Sequence, residues 1–274
     1  MYQELKEFPS IQFGLEQALL SVNAVNSFDL FPSDFSRGKD SIPINGLIWM
    51  GNEVFMKDQI SEKLEAGFTT LKMKIGAIDF RTELDILQGI RKDYSPSELE
   101  LRVDANGAFT EKDAMSKLIQ LATFDIHSIE QPVKAGQWVL MADLCRESPI
   151  PVALDEELIG VLDYEEKTTL LKTINPNYII LKPSLIGGFQ GSRDWMALAE
   201  ELGIGWWITS ALESNIGLNA IAQFCYTLNN AMPQGLGTGS LFSNNICSPL
   251  FVSHGALYFD PKQKWGDLMD FLSE

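Results

Sequence analysis

TTLKMKIG (69–76) sets two lysines one residue apart in an otherwise apolar run. The stretch reads as a β-strand, along which side chains alternate between faces. Lys72 and Lys74 therefore share one face, and Leu71, Met73 and Ile75 the other. Two like charges on one face of a buried strand are costly unless something opposes them. Outward from this stretch, apolar runs recur at near-even spacing: INGLIW (44–49), LELRVDA (99–105), IHSIEQP (126–132), IPVALDE (150–156), NYIILKP (177–183) and GWWITSA (205–211). Segments with helical spacing separate them, among them DFRTELDILQGIRKDY (79–94) and RDWMALAEELG (193–203). Strand and helix alternating at this pitch imply βαβ units and a parallel sheet. The expected fold is an α/β barrel, which typically takes ~250 residues. An open doubly wound sheet is the alternative. It usually carries a glycine-rich phosphate loop after its first strand, and IWMGNEVF (48–55) is not one.

Composition narrows the chemistry. The 274 residues are 45% hydrophobic, enough for a large core, and carry 21 Lys plus Arg against 37 Asp plus Glu. A formal charge of −16 with no basic run argues against nucleic acid and anionic membranes as partners. Cys145, Cys225 and Cys247 form no C-x-x-C pair, which points to a reducing compartment without disulfides. MYQELKEFPS (1–10) has no apolar signal core, and no apolar stretch approaches 18 residues. The expectation is a soluble cytoplasmic protein.

Polar residues fall at the strand ends. Lys74, Asp104, Glu130, Asp155, Lys182 and Ser210 follow one another at spacings of 30, 26, 25, 27 and 28 residues. In a barrel these positions form the rim on which chemistry is done. Asp104, Glu130 and Asp155 come from consecutive strands, and three carboxylates brought together repel one another unless protons or a cation relieve them. An all-oxygen set without His or Cys suits Mg²⁺, with Mn²⁺ as a substitute. His127 and His254 belong to no ligand pattern and read as ordinary core or surface residues. A lysine pair on one side of the cation and Lys182 on the other suit removal of a proton α to a small molecule's carboxylate. Neighbouring cations and burial are expected to lower the lysine pKa values toward that of a usable base.

These residues fall into motifs: the Lys-x-Lys of LKMKIG (71–76), DANGAF (104–109), IEQP (129–132), ALDEE (153–157) and LKPSLIGG (181–188). In this order they resemble the enolase superfamily, in its muconate-lactonising subgroup, over about residues 8 to 245. The resemblance implies a (β/α)7β-type TIM barrel at 44–245. It implies Asp104, Glu130 and Asp155 as Mg²⁺ ligands. It implies Lys74 as the base and then the acid, Lys182 as the opposing cation, and Lys72 as a group that lowers the pKa of Lys74 and touches the metal-bound carboxylate. Within the subgroup, ITSALESNIGL (208–218), with Ser210, Glu213 and Ser214, resembles the branch that dehydrates a succinyl-hydroxycyclohexadiene carboxylate. Arg102, Ser210, Glu213 and Gly237 are the corresponding substrate-binding candidates, Gly237 because backbone N–H groups of GLGTGSLF (235–242) suit a carboxylate. Glu213 also reads as a residue that only orients its neighbours, and GLGTGSLF reads equally as a flexible turn.

The resemblance also implies an N-terminal α+β capping domain. Here 43 residues precede Ile44. Segment 1–43 reads as a remnant of that domain with its linker helix, FPSIQFGLEQALLSV (8–22), so the cap is largely missing from this sequence. The apolar face of that helix, including Ile11, Leu15, Leu19 and Val22, then lacks its cover. The C-terminal segment, 246–274, is expected to pack back toward the capping region. Three other activities compete: racemisation of N-succinyl amino acids or a related epimerisation on the same scaffold, Schiff-base aldol chemistry at Lys182, and an inactive metal-binding barrel.

Overall fold

In the computed structural model of the chain, residues 2–267 are described; the end of the C-terminal segment, 268–274, lies outside the described residues. The chain divides into two compact units, one formed by Gly46–Leu181 with Asp194–Trp206, the other by Met1–Asn45, Lys182–Arg193 and Trp207–Glu274.

Each of the seven apolar runs is a strand: β2 (Gly46–Ile48), β3 (Thr70–Lys74), β4 (Glu100–Asp104), β5 (Ser128–Glu130), β6 (Val152–Leu154), β7 (Tyr178–Leu181) and β8 (Gly205–Ile208). They form one sheet in sequence order, with β2 through β7 paired in parallel. Helices α3 (Glu53–Glu65), α4 (Phe80–Asp93), α5 (Ala114–Ala122), α6 (Trp138–Glu147), α7 (Tyr164–Ile174) and α8 (Gly188–Leu202) follow β2 through β7 in turn, and α9 (Asn215–Thr227) follows β8. Their starts are chemically marked. Asn52 accepts from Phe55 N–H at 2.9 Å, and Asp79 accepts from Arg81 and Thr82 N–H, satisfying donors that a first helical turn leaves open. β3 is buried on both faces: Leu71 and Met73, with Ile75 just beyond the strand, are at most 1% exposed, and Thr70 and Lys72 are 4% and 7% exposed.

In the other unit, α1 (Tyr2–Leu5) and α2 (Pro9–Asn23) precede β1 (Ile42–Pro43). β1 joins β10 (Ala256–Phe259) and β9 (Leu250–Ser253) in an antiparallel sheet of order β1-β10-β9. Gln234 and Gly235 bridge in parallel to Ile44 and Thr209, taking the place of an eighth regular strand. Of the expected uncovered face of α2, Ile11, Leu19 and Val22 are 57%, 44% and 83% exposed and Leu15 is half-buried, whereas the polar Gln12 and Glu16 are buried. None of the described helices is long and apolar enough to cross a membrane. Cys145, Cys225 and Cys247 are free thiols.

Candidate active site

Within the unit that holds β2 to β7, the parallel register builds a cluster of charges. Lys74 pairs with Asp104 across β3 and β4, and Asp104 with Glu130 across β4 and β5. One layer below, Lys72, Arg102 and Ser128 are in register. A side-chain period of two then points Lys72 and Lys74 toward the same carboxylates. Lys72 Nζ lies 2.9 Å from both Glu130 oxygens and 3.2 Å from Asp104 Oδ2. Lys74 Nζ lies 3.0 Å from Asp104 Oδ2 and donates to Asn106 Oδ1 at 2.6 Å. Asp155 follows β6 on the next strand and belongs to the same electrostatic cluster, raising the pKa of Lys72. The two lysines of the opening stretch thus face the buried carboxylates that the strand-end spacing picks out.

The charges hold each other in place. Burial alone would lower the Lys72 pKa, but Glu130, Asp104 and Asp155 outweigh it and raise the pKa above the ordinary lysine value. The expected lowering is therefore corrected at Lys72: it weighed burial and neighbouring cations, whereas the nearest charges are carboxylates. Burial likewise pushes the Asp104 carboxyl up, but Lys72 and Lys74 hold it well below the usual carboxylate range. Among the described residues no group of three His, Cys, Asp or Glu stands ready-made around a metal position. The donor set still fits a hard divalent cation. Asp104, Glu130 and Asp155 offer only oxygen, are 1–2% exposed, and neighbour one another on consecutive strands.

Two residues outside the sequence expectation organise this cluster. Asn106 donates its own N–H to Asp104 Oδ1 at 3.0 Å and its side chain to Glu156 at 3.0 Å, besides accepting from Lys74. Gln131 Oε1 accepts from Asp155 N–H at 3.1 Å, and its amide donates to Glu157 at 3.0 Å. Both sit at positive φ, 43° and 39°, so they turn back over the strand ends. Arg102 is 1% exposed and binds Glu100 at 2.7 Å, a layer below the carboxylates. His127 stacks on Tyr178 and contacts Ser128 Oγ at 3.0 Å, outside the carboxylate cluster.

The other unit carries the remaining candidate residues. Lys182 is the residue after β7, at the head of the turn into α8. Ser210, just beyond β8, donates to Glu213 Oε2 at 2.8 Å and accepts from Thr238 at 2.8 Å. That places exposed Gly237 one residue from a Ser210 contact. Glu213 also accepts from Ala211 N–H at 2.8 Å and, on its other oxygen, from Ser184 Oγ. Both Glu213 oxygens are thus engaged in ordering the turns after β7 and β8.

Comparison with known proteins gives the family. The family model for enolase C-terminal domain-like proteins matches residues 56–262. The chain belongs to the enolase superfamily. This enolase-superfamily chain is 54% identical over 250 residues to o-succinylbenzoate synthase of Desulfotalea psychrophila, covering 91% of the chain and 68% of that protein. It superposes on the crystal structure of MenC from the same organism with a TM-score of 0.86 at 52% identity, covering 92% of the chain and 69% of that one. Muconate lactonizing enzyme from Pseudomonas fluorescens shares the fold at 24% identity, with a TM-score of 0.81 over 96% of the chain and 71% of its own. The fold is the TIM-barrel-like fold of the superfamily.

Proposed function

We propose that the protein is a carbon–oxygen lyase that performs the o-succinylbenzoate synthase reaction. It dehydrates 2-succinyl-6-hydroxy-2,4-cyclohexadiene-1-carboxylate to 2-succinylbenzoate, a step of menaquinone synthesis. The observation that carries the substrate is the 54% identity over 91% of the chain to a protein of that activity. The chemistry is supported independently by Lys72 and Lys74 aimed at a buried carboxylate set.

In this reading residues 44–245 are the catalytic region, and 1–43 hold the linker helix and the remnant of a cap. Asp104, Glu130 and Asp155 are the residues that would hold Mg²⁺, whose chemistry there is to stabilise negative charge growing on a carboxylate oxygen. Lys74, as the neutral amine, takes the proton from the ring carbon that bears the carboxylate. Asn106 and Asp104 hold its Nζ at 2.6 and 3.0 Å, so it starts from one defined place. The electron pair left on carbon is delocalised into the carboxylate as an enediolate. Re-forming the ring's double bond expels the hydroxyl, to which Lys74 returns the proton, so one water leaves. Lys72 is the fixed cation beside the substrate carboxylate, and Lys182 the cation that stabilises the enediolate. Arg102, Ser210 and Gly237 remain the substrate-binding candidates, with Glu213 ordering the Ser210 turn.

The test is a direct assay. The purified protein with Mg²⁺ and the cyclohexadiene substrate should produce 2-succinylbenzoate, followed by its ultraviolet absorbance, and EDTA should stop it. Absence of product with Mg²⁺ or Mn²⁺ sinks the assignment.

A further inference from the structure

Helix α2 buries the wrong residues for an ordinary amphipathic helix. Its apolar Ile11, Leu19 and Val22 are exposed, and its polar Gln12 and Glu16 are 7% and 6% exposed. Hiding polar groups is unfavourable unless each finds a partner. Their partners lie in one short stretch, the turn from Lys182 into α8. Ser10 Oγ donates to Ser184 O at 2.7 Å, and Gln12 Nε2 to Gly187 O at 2.7 Å. Glu16 accepts from the N–H groups of Phe189 and Gln190 at the first turn of α8. A carboxylate there meets two of the helix's open donors and the positive end of its dipole. Phe13 closes the contact edge-to-face on Phe189, centroids 5.3 Å apart. The turn is shaped for this carboxylate. Gly188 has φ +69°, and a Cβ on it would come within 2.1 Å of Glu16 Oε2.

The same turn is held from the opposite direction. Ser184 donates its hydroxyl to Glu213, itself fixed by Ser210 and Ala211. Ser184 is two residues from Lys182, so little backbone is left free to move the lysine independently.

We propose that Glu16, assisted by Gln12 and Ser10, is a positioning residue for Lys182: α2 serves as a brace that fixes the lysine-bearing turn. This rests on the role given to Lys182 in the reaction above. A lysine stabilising a developing charge must be preorganised, and misplacement by about 1 Å from a remote change costs up to ~10²-fold in rate.

The test uses the whole chain with Glu16→Gln and Glu16→Ala, each checked by circular dichroism for the native spectrum. In Glu16→Ala, kcat for dehydration should fall about 10–100-fold with KM nearly unchanged, and Glu16→Gln, which keeps one acceptor oxygen, should lose less. Amides 189 and 190 should exchange hydrogen faster. Acylation of Lys182 by an amine-reactive reagent, read by peptide mass spectrometry, should change in rate while exposed Lys57 labels as in wild type. A general structural defect would not single out Lys182. A wild-type kcat in Glu16→Ala, or unaltered Lys182 labelling, overturns the brace and leaves the functional assignment standing. An inactive wild type overturns the functional assignment, while exchange and labelling still decide whether Glu16 fixes the Lys182 turn.

Discussion

Replacing Lys72 with methionine keeps the apolar stem and deletes the charge. The structure gives the cost. Lys72 Nζ contacts Glu130 at 2.9 Å and Asp104 at 3.2 Å, with the lysine side chain 9% exposed and the carboxylates 2% and 1%. Removing one partner of such a buried set strands the other charges and costs about 3–5 kcal/mol. At roughly 2–4 °C per kcal/mol for a chain near this size, the melting temperature should drop about 6–20 °C without metal. The pH dependence has a definite sign. Asp104 is held below its usual value, so its stabilisation is present above the unfolded carboxylate pKa and fades as pH falls through the depressed folded one. Lys72 is held above its usual value, so its part is complete below the unfolded lysine pKa and fades as pH rises through the raised folded one. The gap between wild type and Lys72→Met should therefore be widest between about pH 4 and 10 and close in acid. Urea unfolding in EDTA at several pH values measures it. A variant within about 1 kcal/mol of wild type at pH 7 would refute the reasoning, because that is the range of a solvent-screened surface pair.

Other expectations follow from the same contacts. Lys74→Ala should lower dehydration by at least ~10²–10⁴-fold with an unchanged circular dichroism spectrum; wild-type turnover would remove Lys74 from the mechanism. Mg²⁺ at about a hundred times its Kd should stabilise the wild type by about 2.7 kcal/mol, and Asp155→Asn should diminish the shift; a melting curve indifferent to Mg²⁺ counts against the carboxylate site. Gly188→Ala should destabilise by more than the ~1–2 kcal/mol of a left-handed alanine, because its Cβ also displaces Glu16, whereas Gly14→Ala on open α2 surface should stabilise by roughly 0.5–1 kcal/mol; urea titration compares the two. Incubation with an N-succinyl amino acid in D₂O should give slower α-deuteration than dehydration of the cyclohexadiene substrate; the reverse order, read by mass spectrometry, would favour the racemase reaction.

The sheet was legible because its strands are short apolar runs closed by a polar residue, a pattern that parallel, doubly covered strands impose. The same-face reading of Lys72 and Lys74 followed from strand period alone, and the structure gives both lysines Asp104 as a shared partner. The small sheet was not legible. β1 has two residues, and its partner β10 lies more than two hundred residues away in sequence. The hairpin joining β9 to β10 left one usable signal, His254 and Gly255 both at positive φ, the conformation of a tight hairpin turn. Asn106 and Gln131 escaped notice because their roles come from left-handed backbone just past the strand ends, which side-chain chemistry does not announce. Glu16 escaped because amphipathic reasoning assigns carboxylates to the solvent side of a helix.

Why a cation-binding set should also carry two lysines follows from counting charge in the buried cluster. Asp104, Glu130 and Asp155 bring three negative charges against the two ammonium groups of Lys72 and Lys74. One negative charge is left over, little enough for the fold to tolerate with almost no water present. Lys72 and Lys74 hold the Asp104 carboxyl well below its usual range, and an ionised carboxylate is the form that suits a hard cation. A divalent cation held there would turn the cluster's excess from negative to positive and would supply the counter-charge that a carboxylate substrate needs. Charge alone thus favours a carboxylate substrate at the cation-loaded cluster over the same substrate at the carboxylates alone.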